Sequence, residues 1–233
     1  MTGRLAGPVL LLEASTTVGV VVLLIDGVGT PVAVTLGAGR EDVLWAAAVR
    51  ALDEVGCPAA SLAAVVCGAG PGSFTSLRIA AALAKGVAHG AGCPLLAVPS
   101  LLLAATALDA PGSYLVHADA IRGERYVLPV RCTADGLVDV DGAEDRLPLA
   151  ALDGAAAGRR RVALVGSPEP AVEEVVVSPA GVRLERLAPR WFHAPVPLER
   201  WEPRYGRLAE AQVQWEARHG VPLPDVGPHA LGT

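Results

Sequence analysis

The chain has 233 residues, 52% of them hydrophobic and 18% charged, with a formal net charge of −5. That is ample apolar material for a sizeable core in one larger domain or two small lobes, and it excludes a disordered chain. The acidic balance speaks against a protein that grips nucleic acid by itself, because Lys and Arg supply most of that affinity by neutralising phosphates.

Four cysteines (Cys57, Cys67, Cys93 and Cys132) lie far apart without a CxxC pair, which reads as buried thiols rather than a zinc site or a disulfide framework. The longest apolar stretch, Val18 to Ile25, is stopped by Asp26 and is too short to span a bilayer. No signal peptide is legible, so a cytoplasmic protein with no membrane contact is expected.

In chain order, Pro8 to Leu12 reads as a first strand and Val18 to Ile25 as a second, rich in β-branched residues. The DGVGT sequence at Asp26 to Thr30 marks a hairpin into a third strand, Pro31 to Leu36. From Asp42 the pattern becomes helical and runs to about Val55, closed by Gly56 and Pro58. A buried strand (Ala63 to Cys67) follows, then a glycine turn, a long alanine-rich helix from Ser73 to about His89, and a short strand (Pro94 to Val98). Ser100 is expected to cap a third helix running to about Leu108. Strands and helices alternating after a meander imply a mixed sheet.

Beyond residue 109 the pattern weakens. Tyr114 to Ala118, Tyr126 to Cys132 and Arg161 to Val165 read as strands, 136–142 as a turn or strand, and 144–160 as a surface helix and loop. The proline-rich stretch 179–203 reads as irregular and anchored by Trp191, Phe192 and Trp201. Tyr205 to Arg218 is expected to be a last amphipathic helix, with a mobile tail from Gly220. The division expected is a first lobe over 1–109 and a smaller, divergent one over 110–233.

The turn Gly70, Pro71, Gly72 and Ser73, continuing into Phe74, Thr75 and Arg78, suits two purposes. It can present the N-terminus of a helix to an anion, or it can serve geometry alone, and neither the Walker nor the dinucleotide glycine spacing is present. Ser73 is expected to cap that helix. On the first helix Leu44, Ala48, Ala51 and Val55 share one face and Trp45, Val49 and Leu52 another, an apolar arc wider than one core contact needs. The second helix pairs a narrow polar stripe (Arg78, Lys85 and His89) with small apolar residues. Either both helices are buried on two sides or one face serves a partner. No histidine pair has metal-ligand spacing and no serine sits in a GxSxG elbow, so no catalytic residue and no metal site is assigned.

GPGSFTSLR at Gly70 to Arg78, DAIRGERY at Asp119 to Tyr126 and PRYGRLAEAQ at Pro203 to Gln212 together resemble the TsaB (YeaZ) family. The resemblance implies an α/β fold of the actin, Hsp70 and acetate kinase (ASKHA) type, with two lobes of mixed sheet. It also implies a non-catalytic assembly subunit for threonylcarbamoylation of the adenosine next to the anticodon of tRNA. The partner implied is a TsaD-type catalytic paralogue, bound through the first two helices by Leu44, Trp45, Ala48, Val49, Leu52, Ala81, Ala84, Lys85 and Ala88. A homodimer in its absence, a TsaE-type ATPase and tRNA within the complex are further implied partners. No cofactor of the chain's own is implied, although a nucleotide at the subunit interface is compatible. Glu13, Ser15, Thr16 and Asp119 would line a degenerate nucleotide cleft. Glu13 stands where the family has Asp, 40–42 lacks the family's His-Ser, and Ile121 replaces an Arg of the motif. The alternative reading is an ASKHA-type enzyme, a sugar-kinase-like phosphotransferase or a metallopeptidase.

Overall fold

The computed structural model describes residues 6–36, 42–165, 175–205, 215 and 218–221. Its centre is β1 (Val9–Glu13), whose five residues are all buried because both faces of the strand are covered. β2 (Val18–Ile25) pairs antiparallel with β1, and β3 (Val28–Thr35) pairs antiparallel with β2. The two-residue turn between β2 and β3, Asp26 and Gly27, has both φ angles positive (51° and 81°), the geometry that Asp-Gly favours in a twisted hairpin. The third strand thus begins three residues earlier than its sequence suggests, at the turn itself.

α1 (Val43–Glu54) ends in a Schellman arrangement, in which Gly56 takes φ +62° and the Cys57 and Gly56 N–H groups bond the Leu52 and Asp53 carbonyls. β4 (Ala64–Gly68) and β5 (Leu95–Val98) then add parallel strands beside β1, giving the order β3-β2-β1-β4-β5. Between them α2 (Phe74–Ala91) stops at Gly92, in the left-handed region. α1 and α2 cover one face of the sheet, where Leu10, Leu12, Val21 and Val65 meet Leu44, Ala47, Ala48, Ala80, Ala84 and Ala88. Alanines on α2 let the helix lie close to the strands.

The opposite face meets α3 (Ser100–Ala105), all six residues of which are buried. A short helix enclosed on every side has no polar stripe, hence SLLLAA. α3 stops before the expected Leu108, and 3-10-type bonds from Thr106, Ala107 and Leu108 finish it. Beyond it lies a second sheet, of order β11-β10-β6-β7-β8. Its strands are β6 (Gly112–Asp119), β7 (Glu124–Cys132), β8 (Val138–Val140), β10 (Arg160–Leu164) and β11 (Val175–Val177), with β9 (Asp145–Pro148) paired to the first half of β7. One core runs through both layers, from Val9 and Val22 through Leu102 to Val116 and Leu128.

The stretch 144–160, expected as helix and loop, contains β9 before the four-residue α4 (Leu152–Ala155), whose Leu152 closes the outer face of the second sheet against Leu115 and Val127. β9 is too short and too exposed to show an alternating pattern. The irregular stretch 179–203 consists of 3-10 turns joined by extended chain. It returns to the first sheet: Val196 N–H bonds Leu95 O along the edge of β5, and Val196, Leu198 and Trp201 pack on the core beneath α2. The expected last helix and tail lie outside the described residues, apart from 205, 215 and 218–221. No helix among the described residues is long and apolar enough to cross a membrane.

Candidate functional site

The ends of β1, β6 and β10 and the turn before α2 converge on a cleft between the two layers, with a volume of about 220 Å³. Ser15, Thr16 and Thr17 from the β1–β2 turn line it, with Pro71, Gly72 and Ser73 from the glycine turn. Ala118, Asp119, Ile121 and Tyr126 come from the β6–β7 hairpin, and Leu164 and Val165 from the end of β10. Three of the four residues placed at a nucleotide cleft by sequence (Ser15, Thr16 and Asp119) therefore do meet there.

Glu13 does not. It is 1% exposed and sits on the α3 side of β1, where its Oε1 accepts from Ser15 N–H at 2.6 Å and its Oε2 from the Ser100 hydroxyl at 2.9 Å. Ser100 Oγ in turn accepts from Gly70 N–H at 3.0 Å. Burial pushes the Glu13 carboxyl above its ordinary range, while the bonds from Ser15 and Ser100 pull it down. Space for this longer acid comes from Gly68, since a Cβ there would lie 1.7 Å from Glu13 Oε2. Ser100 is thus a bridge within the core and not a helix cap; Pro99 holds the cap position.

The glycine turn is held by its neighbours in the same way. Ser73 N–H donates to Ser15 O at 2.8 Å, Ser100 N–H to Gly70 O at 2.9 Å, and Arg204 N–H to Ala69 O at 2.7 Å. Gly70 has φ +82°, and a Cβ on it would lie 2.1 Å from Arg204 O; a Cβ on Gly72 would lie 2.2 Å from Ser15 O. These glycines answer close backbone approach. Ser73 occupies the N-cap position of α2 without capping it, because its hydroxyl pairs with Ser76 Oγ at 3.1 Å. Phe74 packs against Tyr205 with the rings tilted and their centres 4.4 Å apart, Arg78 lies over the Phe74 ring, and Thr75 is exposed.

On the other wall, Asp119 Oδ1 accepts from Ile121 N–H at 3.1 Å and from Arg125 Nη1 at 2.9 Å. The hairpin tip puts Ile121, Arg122 and Gly123 at successive positive φ angles, and a β-branched residue there is strained. Among the described residues the cleft offers a polyphosphate few partners. The acid at the end of β1 faces the core, the turn's Ser73 N–H is spent on Ser15, and among the described residues no Lys or Arg lines the cleft. Nor do three His, Cys, Asp or Glu side chains converge anywhere among the described residues.

Of the nine residues expected at a partner surface, Leu44, Ala48, Ala81, Ala84 and Ala88 are buried in the chain itself. They are corrected to core residues, because α1 and α2 spend Leu44, Ala48, Ala84 and Ala88 on the first sheet and Ala81 is enclosed as well. Trp45 (51% exposed), Val49, Leu52 and Lys85 keep accessible surface. Sequence reasoning named Trp201 as an anchor but missed its contact with Lys85, whose Nζ lies 5.9 Å from the ring centre, and the Glu144–Arg204 ion pair of 3.3 Å joining the second lobe to the returning segment. Neither carries a local signal, since each depends on contacts distant in sequence.

Two mixed sheets, with helices outside and α3 between, opening in a cleft at the strand ends, give an actin-like fold of the ASKHA type. Within that class the chain has the TsaB (YeaZ) fold. It is similar to YeaZ from Pseudomonas aeruginosa, with a TM-score of 0.66, 23% identity, and coverage of 85% of this chain and 99% of that one. A second solved structure, an uncharacterized protein with similarity to peptidase YeaZ from Pseudomonas aeruginosa, gives 0.65, 24%, 86% and 100%. Residues 41–142 match the family described as TsaD: tRNA N6-adenosine threonylcarbamoyltransferase. An uncharacterized protein of Mycobacterium leprae is 36% identical over 143 residues, 58% of this chain, and the match spans 36% of that relative's own length.

Proposed function

We propose that this chain is a non-catalytic assembly subunit in the threonylcarbamoylation of tRNA adenosine, working by holding a TsaD-type catalytic paralogue in a productive conformation. One observation carries the reading: α1 buries Leu44, Ala47 and Ala48 in its own core and still presents Trp45, 51% exposed, with Val49 and Leu52 beside it. Exposed aromatics flanked by aliphatic side chains are typical anchors of protein interfaces. The TsaD-family match over residues 41–142 includes both α1 and α2, which supports a paralogous partner that meets this chain through the equivalent helices. The partner supplies the chemistry and the nucleotide site; tRNA is bound by the assembly, and a TsaE-type ATPase joins it. Alone, the chain pairs with itself through the same surface.

The test is reconstitution of tRNA modification from purified components with this chain present, omitted or replaced by Trp45→Glu. Modification that needs the wild-type chain supports the reading, and full modification without it refutes it. The cleft favours a second reading, an ASKHA-type enzyme, because Ser15, Thr16 and Asp119 still converge there. Turnover of ATP by this chain alone, lost in Asp119→Asn, would establish that reading instead.

A further inference from the structure

We propose that the cleft between the lobes binds a small primary ammonium carried on a compact apolar body. Its volume, about 220 Å³, lies below the roughly 300–1,000 Å³ of sites built for larger cofactors. Ala118, Ile121, Tyr126, Leu164 and Val165 make one wall apolar. Opposite it, Thr16 is already committed, its hydroxyl both donating to Val18 O and accepting from Val18 N–H.

The charge that an entering molecule meets is Asp119. Its carboxylate is fixed through one oxygen, Oδ1, which takes both the Ile121 N–H and the Arg125 guanidinium. Arg125, 3% exposed, lies behind that carboxylate and does not line the cleft, whereas the Asp119 side chain is 33% exposed and does. The pair therefore presents its negative end. With no Lys or Arg among the described lining residues, an ammonium gains attraction there and a phosphate meets like charge. Ile121 is held at φ +63° while 45% exposed at this wall, and backbone strain of that kind clusters at ligand sites.

The test is titration of the isotope-labelled full chain at pH 7 with benzylammonium, benzyl alcohol, phenyl phosphate and Mg-ATP, followed by amide NMR shifts. Benzylammonium is expected to bind most tightly, moving resonances of 15–17, 118–126 and 164–165. Asp119→Asn should weaken it about tenfold or more, the usual worth of a charged hydrogen bond. Because Asp119 also orders its hairpin, Val165→Arg is the second variant: it adds a cation at an exposed rim position and should abolish binding with an unchanged melting temperature. Absence of benzylammonium binding, tighter binding of either phosphate in the cleft, or wild-type affinity in Val165→Arg would each overturn the proposal. The assembly reading plays no part in these outcomes.

Discussion

Glu13 and Gly68 show how one side chain is accommodated by the absence of another. A methyl group at 68 would lie 1.7 Å from Glu13 Oε2, and neither the strand nor a fully buried carboxylate can yield. Gly68→Ala is therefore expected to cost about 2 kcal/mol, the scale of an overpacked core. Adding Glu13→Asp, one methylene shorter, should return part of that loss, a non-additivity measurable by urea unfolding. Additive losses would show that the two residues do not compete for space. The same burial gives a pH signature. The folded state holds the Glu13 proton to higher pH than the unfolded chain, whose ordinary value is 4.5. Its contribution to stability is greatest below that value and falls as pH rises through the folded one. The stability of wild type minus that of Glu13→Gln should accordingly decrease as pH rises above 4.5, and a difference independent of pH would contradict the assignment. From sequence, Glu13 is legible as an acid at a strand end. Its direction is not, because that depends on Ser100, 87 residues away, and on the vacancy at Gly68.

At the scale of elements, the helices carry the interface proposal, and packing sorts their residues into two sets. Trp45→Glu is expected to leave the circular dichroism spectrum and melting temperature unchanged while weakening partner binding by about 2 kcal/mol or more, roughly thirtyfold. Ala84→Glu should instead unfold the chain, since Ala84 is wholly buried against the sheet and an unpaired charge there cannot be solvated. A folded Ala84→Glu protein, or unchanged affinity in Trp45→Glu, would misplace the surface. Both helices were legible from periodicity, and the end of the first from Gly56. Which apolar residues remain outside was not, because alanine is equally at home against a strand and against a partner helix. The serines at 73 and 100 were misleading for a related reason: Ser73 sits where a cap belongs but pairs with the Ser76 hydroxyl, and Ser100 lies one residue past the cap position and donates to the Glu13 carboxyl.

For the molecule as a whole, the meander and the added parallel strands of the first sheet follow from hydrophobic runs and turns, so the mixed sheet could be read in advance. The second sheet was only half visible, since β9 and β11 have four and three residues and are defined by their neighbours. The return of 195–205 to the first sheet has no local signature either. It closes the β5 edge and places Trp201 on the core beneath α2, so Trp201→Ala is expected to cost about 2 kcal/mol, less than a fully buried tryptophan. A stability change within about 0.5 kcal/mol, the usual range for surface positions, would show that the segment lies loosely. The central claim is that this molecule acts through an assembly, and it is tested most directly by size-exclusion chromatography with light scattering. The chain is run alone, then with the TsaD-type protein of the same organism, as wild type and as Trp45→Glu. The account predicts a heteromeric peak with wild type that displaces any homodimer and is absent with Trp45→Glu. Two proteins that elute separately, with or without nucleotide, would contradict it.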